Sequence, residues 1–222
     1  MKKINLILLM IFNFAIIIKA QTAEEVIAKH LEITGGLTKW RGFNSVVLKG
    51  EMVLGVNESY NVEIYQQRPN WNKTYMYVQG KKITLNAYNG KKAIQYDFQS
   101  NKLVNKPDYV PESFDSDLIN FSDKGFQAVF IGTEKIEQSN CYKIKLIKNT
   151  NIITYYFDMK SYQLIREESV SESKTFSDFR KASGLYFPYR IEVKSTNGES
   201  DFVLIIKTIN VNQAIPGKEF TF

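Results

Sequence analysis

The chain has 222 residues, a formal net charge of +6 at neutral pH, and a single cysteine and a single histidine. One cysteine excludes an intramolecular disulfide, and one cysteine with one histidine cannot supply the usual ligands of a zinc site. Catalysis of the Ser-His-Asp or Cys-His type would depend on His30 alone, and the sequence has no P-loop, dinucleotide-binding glycine motif or nucleophile elbow. We therefore expect no enzyme activity, no metal and no cofactor.

The first twenty residues have the three parts of a secretory signal peptide. Lys2 and Lys3 carry positive charge, residues 4–18 are almost wholly apolar, and the segment ends at the small residue Ala20. The apolar run is short for a membrane span, and no cysteine follows the cleavage point as an acylation site. We expect cleavage near Ala20 and release of one domain, residues 21–222, as a soluble periplasmic monomer.

The basic charge belongs in large part to the signal segment. Three lysines and no acid leave with residues 1–20, so the net charge falls from +6 to +3. A domain this mildly basic is not typical of a nucleic-acid-binding surface, and we expect no nucleic-acid partner.

Residues 22–34 predict an N-terminal helix. Apolar residues recur at helical spacing, Thr22 and Glu25 form a capping-box pattern, and Gly35-Gly36 is a typical helix end. His30 lies in the middle of this helix, where we expect it to pack rather than to react. A further short helical turn over residues 37–43 would carry Trp40 inward.

From residue 44 the hydrophobic period changes to two, which is typical of strands. The pattern predicts about ten strands in an antiparallel meander with tight turns. In several runs both the odd and the even positions are apolar, so both faces of the strand would be apolar. This favours a curved sheet around a helix or a cavity, although an ordinary core with tyrosines at the surface fits as well. The runs are residues 46–54, 60–64, 71–78, 83–88, 94–98, 142–147, 152–157, 162–165, 184–193 and 202–209.

Residues 106–122 interrupt the alternation and contain two prolines. Phe114, Leu118 and Phe121 are spaced four and three apart, which predicts a short helix in a flap over the sheet. The acids Asp115 and Asp117 in this segment are expected to be solvated. Cys141 begins an alternating run, so we expect a buried small hydrophobic residue there rather than a reactive thiol.

Several segments occur in the order found in one family of exported proteins. Residues 176–188, Phe-Ser-Asp-Phe-Arg-Lys-Ala-Ser-Gly-Leu-Tyr-Phe-Pro, are similar to its "dYr-x-v-x-Gl-x-fP" run. The other segments are residues 27–36 with Lys39-Trp40, residues 47–50, residues 155–158 with 162–166, and residues 209–215. Together these motifs resemble the periplasmic lipoprotein-carrier (LolA/LolB-like) superfamily, in particular outer-membrane lipoprotein-sorting proteins of the Bacteroidetes type.

The resemblance implies a mainly β fold with few helices (α+β), in which a strongly curved antiparallel sheet forms an incomplete β-barrel and helices cover its concave side. It implies a hydrophobic ligand, either a lipoprotein acyl chain or a lipid, held between sheet and helices for transfer or sensing in the cell envelope. The resemblance further implies envelope proteins as partners and a transient contact with the membrane. The candidate lining residues are Val26, Ile27, Leu31, Trp40, Val46, Leu48, Met52, Leu54, Val62, Ile64, Phe114, Leu118 and Phe121.

Two other hypotheses fit the same residues. The first is a non-catalytic envelope scaffold whose own side chains fill the core and whose sheet edge recruits a partner. The second is a hydrolase whose two carboxylates lie far apart in sequence. An apolar hollow would favour the carrier, a filled core the scaffold, and converging buried carboxylates the hydrolase.

Overall fold

The computed structural model of the protein describes residues 21–55, 58–111, 113–196, 198 and 201–222. The predicted signal peptide, residues 1–20, lies outside these residues. The described part forms helices α1 (Ala23–Ile33) and α2 (Leu37–Arg41) and a C-terminal 3₁₀ helix (Gly217–Phe220), and none of its helices is both long and apolar enough to span a membrane. The strands are β1 (Ser45–Val53), β2 (Ser59–Gln67), β3 (Trp71–Val78), β4 (Lys81–Tyr88), β5 (Ala93–Asp97), β6 (Lys102–Asn105), β7 (Gln127–Ile136), β8 (Ser139–Lys148), β9 (Asn151–Asp158), β10 (Leu164–Glu168), β11 (Glu172–Ala182), β12 (Leu185–Ser195) and β13 (Phe202–Val211).

All of these strands pair antiparallel in one open sheet, in the order β6-β5-β4-β3-β2-β1-β13-β12-β11-β10-β9-β8-β7. Strands β1–β6 run outward to one edge, and strands β7–β13 return from the other edge to the centre, where β13 pairs with β1. The two edge strands, β6 and β7, are not paired with each other. The predicted curved, incomplete barrel with few helices is therefore confirmed.

The described sheet has thirteen strands rather than about ten. The three strands that the sequence pattern misses are β6, β7 and β11. Every residue of β6 is exposed, and β11 has no fully buried residue, so neither strand alternates between a buried and an exposed face. Strand β7 contains a bulge between Phe130 and Gly132 that shifts its pairing with β8.

Bulges interrupt the ladders at several points and bend the sheet. One of them lies between Lys49 and Gly50, where β1 meets β13 at the centre. A side chain at Gly50 would collide with the carbonyl oxygen of Ile205. Glycine at this position therefore allows the close approach of the two central strands.

Helix α1 has the predicted boundaries and caps. The Thr22 hydroxyl accepts from the Glu25 backbone N–H at 3.1 Å, and the Glu25 carboxylate accepts from the Thr22 N–H at 3.1 Å, which completes the capping box. At the other end Gly35 and Gly36 have φ values of 134° and 90°, which glycine adopts readily. The Gly36 N–H donates to the Leu31 carbonyl at 2.8 Å and closes the last turn.

Helix α1 covers β7–β10, and the apolar side chains between the helix and these strands are buried. Val26 of α1, Phe157 of β9 and Leu118 of the β6–β7 connection are each at most 1% exposed. Around them the cluster contains Ala23, Ile27, Leu31, Ile119, Phe126, Ile144, Leu146 and Tyr155. We call this filled region the α1 core.

Residues 106–126 connect the two edges of the sheet, and we call them the crossing segment. The predicted helix over Phe114, Leu118 and Phe121 is wrong, because the described residues here form successive turns. Asn120 has a φ of 50°, which an α-helix cannot contain. The aromatic and apolar residues of the segment are spaced to fill separate clusters rather than to form one helix face: Phe114 packs with Phe43, whereas Leu118 and Phe121 join the α1 core.

Candidate ligand-binding face

The inner face of the sheet is the face that α1 and the crossing segment cover. Three clusters of apolar side chains lie on it and share members. Trp40 packs with the α1 core and with a central cluster built on Phe43, Val46 and Leu185. The central cluster is joined to the third cluster by Leu48, Phe187 and Ile209.

The third cluster, which we call the open apolar half, consists of residues from strands β1–β4, β12 and β13. Cross-strand pairing keeps its members on one face, since Met52 lies opposite both Tyr60 of β2 and Leu204 of β13. No described helix contributes a residue to it. Its partly exposed members are Leu48, Met52, Tyr60, Ile64, Val78, Ile83, Leu85, Phe187, Ile191, Phe202 and Ile209. The sheet therefore presents an incompletely covered apolar surface at this half.

The residues proposed from the sequence as a ligand lining divide among these regions. The α1 core holds Val26, Ile27, Leu31, Leu118 and Phe121. The central cluster holds Trp40, Val46 and Phe114. Leu48 packs in both the central cluster and the open apolar half, which also holds Met52, Val62 and Ile64. Leu54 follows β1 and is 43% exposed, beside a groove formed with β12 and β13.

A charged strip on β10 and β11 lies on the inner face between the α1 core and the open apolar half. Glu167 is paired in register with Tyr155 and Lys174, so all three side chains leave the sheet on the face that α1 covers. The Lys174 ammonium lies 2.7 Å from the Glu172 carboxylate and 3.8 Å from that of Glu167. Both acids therefore form ion pairs with the one lysine between them. The sequence pattern missed this strip because it missed β11.

The crossing segment is fastened to the sheet by Arg68, which follows β2. Its guanidinium forms an ion pair with Asp115, and its Nε donates to the Phe43 carbonyl at 2.7 Å. The expectation of a solvated Asp115 is wrong, because its side chain is 18% exposed and pairs with Arg68. The guanidinium also lies 5.3 Å from the centre of the Phe114 ring. Arg68 thus ties the crossing segment to the start of β1.

The single histidine and cysteine are both structural. His30 is buried against Phe157, with ring centres 5.0 Å apart, and its Nδ1 is 2.9 Å from the Tyr162 carbonyl oxygen. Burial lowers the pKa of His30 to about 4. Cys141 is fully buried, and burial raises the pKa of its thiol to about 11. In the described part of the chain no three His, Cys, Asp or Glu side chains are grouped to hold a metal ion.

A cavity of about 360 Å³ lies between strands β2–β5 and the crossing segment. Unlike the open apolar half, its wall is rich in side-chain amides and hydroxyls. We call it the amide cavity. The residues around it are Ile64, Gln66, Asn70, Trp71, Asn72, Thr74, Asn86, Ala87, Ile94, Gln95, Lys106, Tyr109, Ser113 and Phe114.

The chain matches no family model and no curated protein in sequence. Its fold resembles solved structures over most of both chains. A putative outer membrane lipoprotein-sorting protein domain from Vibrio parahaemolyticus has a TM-score of 0.55 at 10% identity, covering 89% of this chain and 95% of that one. A LolA superfamily protein from Nitrosomonas europaea has a TM-score of 0.56 at 13% identity, covering 91% and 99%.

A DUF1329 family protein from Desulfovibrio piger is similar to the same degree, with a TM-score of 0.58 at 10% identity and coverage of 89% and 96%. At these identities the similarity concerns the fold. The open antiparallel sheet, the helix on its inner face and these neighbours lead to one conclusion: the chain has the LolA-like fold.

Proposed function

We propose that the protein binds a hydrophobic ligand, either a lipoprotein acyl chain or a lipid, on the inner face of its sheet, for transfer or sensing in the cell envelope. The observation that carries the proposal is the open apolar half, where large apolar side chains from β1–β4, β12 and β13 remain partly exposed. A surface of this kind is typical of a site for an apolar partner.

The ligand surface in this proposal is narrower than the sequence indicated. The α1 core is filled by its own side chains, so Val26, Ile27, Leu31 and Leu118 hold the fold together and meet ligand only if α1 moves. Leu48, Met52 and Ile64 are partly exposed and form the ligand surface with their neighbours on β12 and β13, whereas Val62 is buried among them. Trp40 and Phe114 lie at the boundary between the two regions.

The free energy of binding would come mainly from burial of methylene groups. Each buried methylene contributes about 0.8 kcal/mol, so affinity should rise about fourfold with each added carbon until the surface is covered. Release requires that the bound state be only moderately stable. The crossing segment could regulate access to the surface, because its Phe114 belongs to the same cluster as Leu48 and Phe187.

The place of action in this proposal is the periplasm, after removal of a signal peptide near Ala20. The charge, apolar core and small terminal residue of residues 1–20 support it. The fold neighbour described as an outer membrane lipoprotein-sorting domain supports a role in the envelope. The filled α1 core and the ion pairs of Glu167 and Glu172 with Lys174 support a non-catalytic role.

A matched pair of methionine substitutions tests the proposal. Met52→Gln places an amide of similar shape in the open apolar half, whereas Met159→Gln makes the same change in the turn after β9. We expect Met52→Gln to weaken binding of a fluorescent fatty acid about tenfold, because the loss of one buried Met contact is worth about 1.5 kcal/mol or more. Met159→Gln should bind as the unsubstituted protein does.

Native mass spectrometry of the protein purified from its own periplasm provides a second test. A co-purifying lipid or acylated peptide would support the carrier. Apo protein that takes up no fluorescent fatty acid would refute it and favour the scaffold, for which the filled α1 core and the exposed edge strand β6 are the relevant observations.

A further inference from the structure

The amide cavity begins where the open apolar half ends. On the inner face Val62, Met76 and Ile83 are paired across β2, β3 and β4 and form an apolar row. The next row on the same face is Ile64, Thr74, Asn86 and Gln95, paired across β2, β3, β4 and β5. Polarity therefore changes within one continuous surface, from apolar side chains to amides.

The amides of the cavity are available for a ligand. Gln66, Asn86 and Gln95 are exposed, and no other described residue forms a hydrogen bond with their side chains. Each amide presents both donors and an acceptor. A ligand with many hydroxyl groups, which also donate and accept, matches this lining better than a simple anion or cation does.

Aromatic rings of the crossing segment bound the cavity on the other side. The Tyr109 hydroxyl accepts from the Asn72 amide at 3.1 Å, and its ring centre lies 5.2 Å from that of Tyr88. The Phe114 ring is held against Phe43, with centres 4.7 Å apart. Tyr109 and Phe114 both line the cavity beside the amides. No acid is among the described residues that line the cavity.

We propose that the amide cavity binds the sugar head group of an amphiphile whose acyl chain lies on the open apolar half. This inference rests on the proposed function, because the acyl chain is what brings the head group to the cavity. The volume of about 360 Å³ is in the range of small-molecule sites. Amides and hydroxyls orient the sugar hydroxyls, and the rings of Tyr109 and Phe114 pack against its C–H faces.

A neighbouring depression offers a different chemistry, which the experiment must separate from a sugar. It has a volume of about 300 Å³, shares Lys106 and Tyr109 with the amide cavity, and adds Lys91 and Lys92. Three ammonium groups suit a phosphate. A phosphate-bearing head would therefore prefer the depression, whereas a neutral sugar would prefer the amides.

The test compares dodecyl maltoside with dodecylphosphocholine and lauric acid, which share one chain length, below their critical micelle concentrations. We expect the maltoside to bind at least about tenfold more tightly than dodecylphosphocholine, the effect of one or more hydrogen bonds. Asn86→Leu and Gln95→Leu should each lower the affinity for dodecyl maltoside about tenfold and leave the affinity for lauric acid unchanged. Gln127→Leu, an exposed amide on β7 at the far edge, is the matched control and should change neither.

The outcomes separate this inference from the proposed function. Binding of lauric acid without a preference for the maltoside would overturn the sugar site and leave the acyl surface standing. Tighter binding of dodecylphosphocholine, lost on replacing Lys91 and Lys92 by Gln, would overturn it in favour of a phosphate. Failure of all three amphiphiles to bind would overturn both proposals.

Discussion

The single histidine predicts a specific loss of stability in mild acid. The Tyr162 carbonyl can only accept a hydrogen bond, so Nδ1 of His30 carries a proton. Burial disfavours a second proton, so the ring is neutral in the folded protein at neutral pH. Burial lowers the pKa of His30 from 6.5 to about 4. Between these values the unfolded chain binds more protons than the folded one, so the free energy of unfolding falls as the pH falls.

The magnitude follows from the size of the shift. The full difference corresponds to about 3 kcal/mol, of which about 2 kcal/mol is lost between about pH 7 and pH 5. The contribution of carboxylates to the free energy of unfolding is lost at a lower pH than that of His30. Burial alone would raise the pKa of Glu63, but Lys82 and Lys49 lower it to about 2 from 4.5, so its stabilising effect disappears only below its unfolded value.

Urea unfolding at the two pH values, followed by tryptophan fluorescence, measures the effect. His30→Asn places an amide nitrogen near the position of Nδ1, so it can still donate to the Tyr162 carbonyl but cannot titrate. We expect this variant to be less stable at neutral pH, because it loses ring contacts with Phe157, but to show little change between the two pH values. A loss of about 2 kcal/mol in the variant as well, or none in the unsubstituted protein, would refute the reasoning.

Three further predictions concern packing, the crossing segment and the thiol. Phe157→Ala, in the α1 core, should lower the free energy of unfolding by about 3–5 kcal/mol, whereas Leu54→Ala, at 43% exposure, should change it by less than about 1 kcal/mol in the same urea titration. Arg68→Ala should cost about 2 kcal/mol and speed proteolysis within residues 106–126, because Asp115 loses its partner; an unchanged digestion pattern would contradict this. Cys141 should react with a thiol reagent only as fast as the protein unfolds, and rapid reaction of the folded protein would contradict its burial.

The sequence predicted those elements whose signals are local. Helix α1 was predictable because Thr22, Glu25 and Gly35-Gly36 specify both of its ends without reference to the rest of the chain. Strand β2 was predictable because Tyr60 and Val62 are less exposed than Ser59 and Asn61, which gives a two-residue period. The curvature of the sheet was predicted from the resemblance of several motifs to the LolA/LolB-like superfamily.

The remaining features depend on which strands become neighbours. Strand β11 carries both Lys174 and Glu172 on the inner face, and only the pairing with β10 places Glu167 opposite Lys174. The spacing of Phe114 and Leu118 indicates that both side chains are buried. It does not show that they pack in two different clusters.

The amide cavity is also a product of register. Thr74, Asn86 and Gln95 are adjacent in space but belong to three strands. No local pattern in the sequence brings them together, so a sequence reading alone does not find the site.

The pairing of β1 with β13 has a consequence for how the chain folds. Val46 is paired with Val211, so the central ladder joins residues from nearly opposite ends of the described chain, whereas every other ladder joins neighbours in sequence. Contacts of such large sequence separation raise the contact order and slow folding. The hairpins on either side can form early, but the pairing of β1 with β13 needs the last strand of the chain. Until that pairing forms, the apolar inner residues of β1 are open to lipid or to other chains. The centre of the sheet is therefore the part that forms last and is most exposed to misassembly, whereas the outer strands pair with their sequence neighbours.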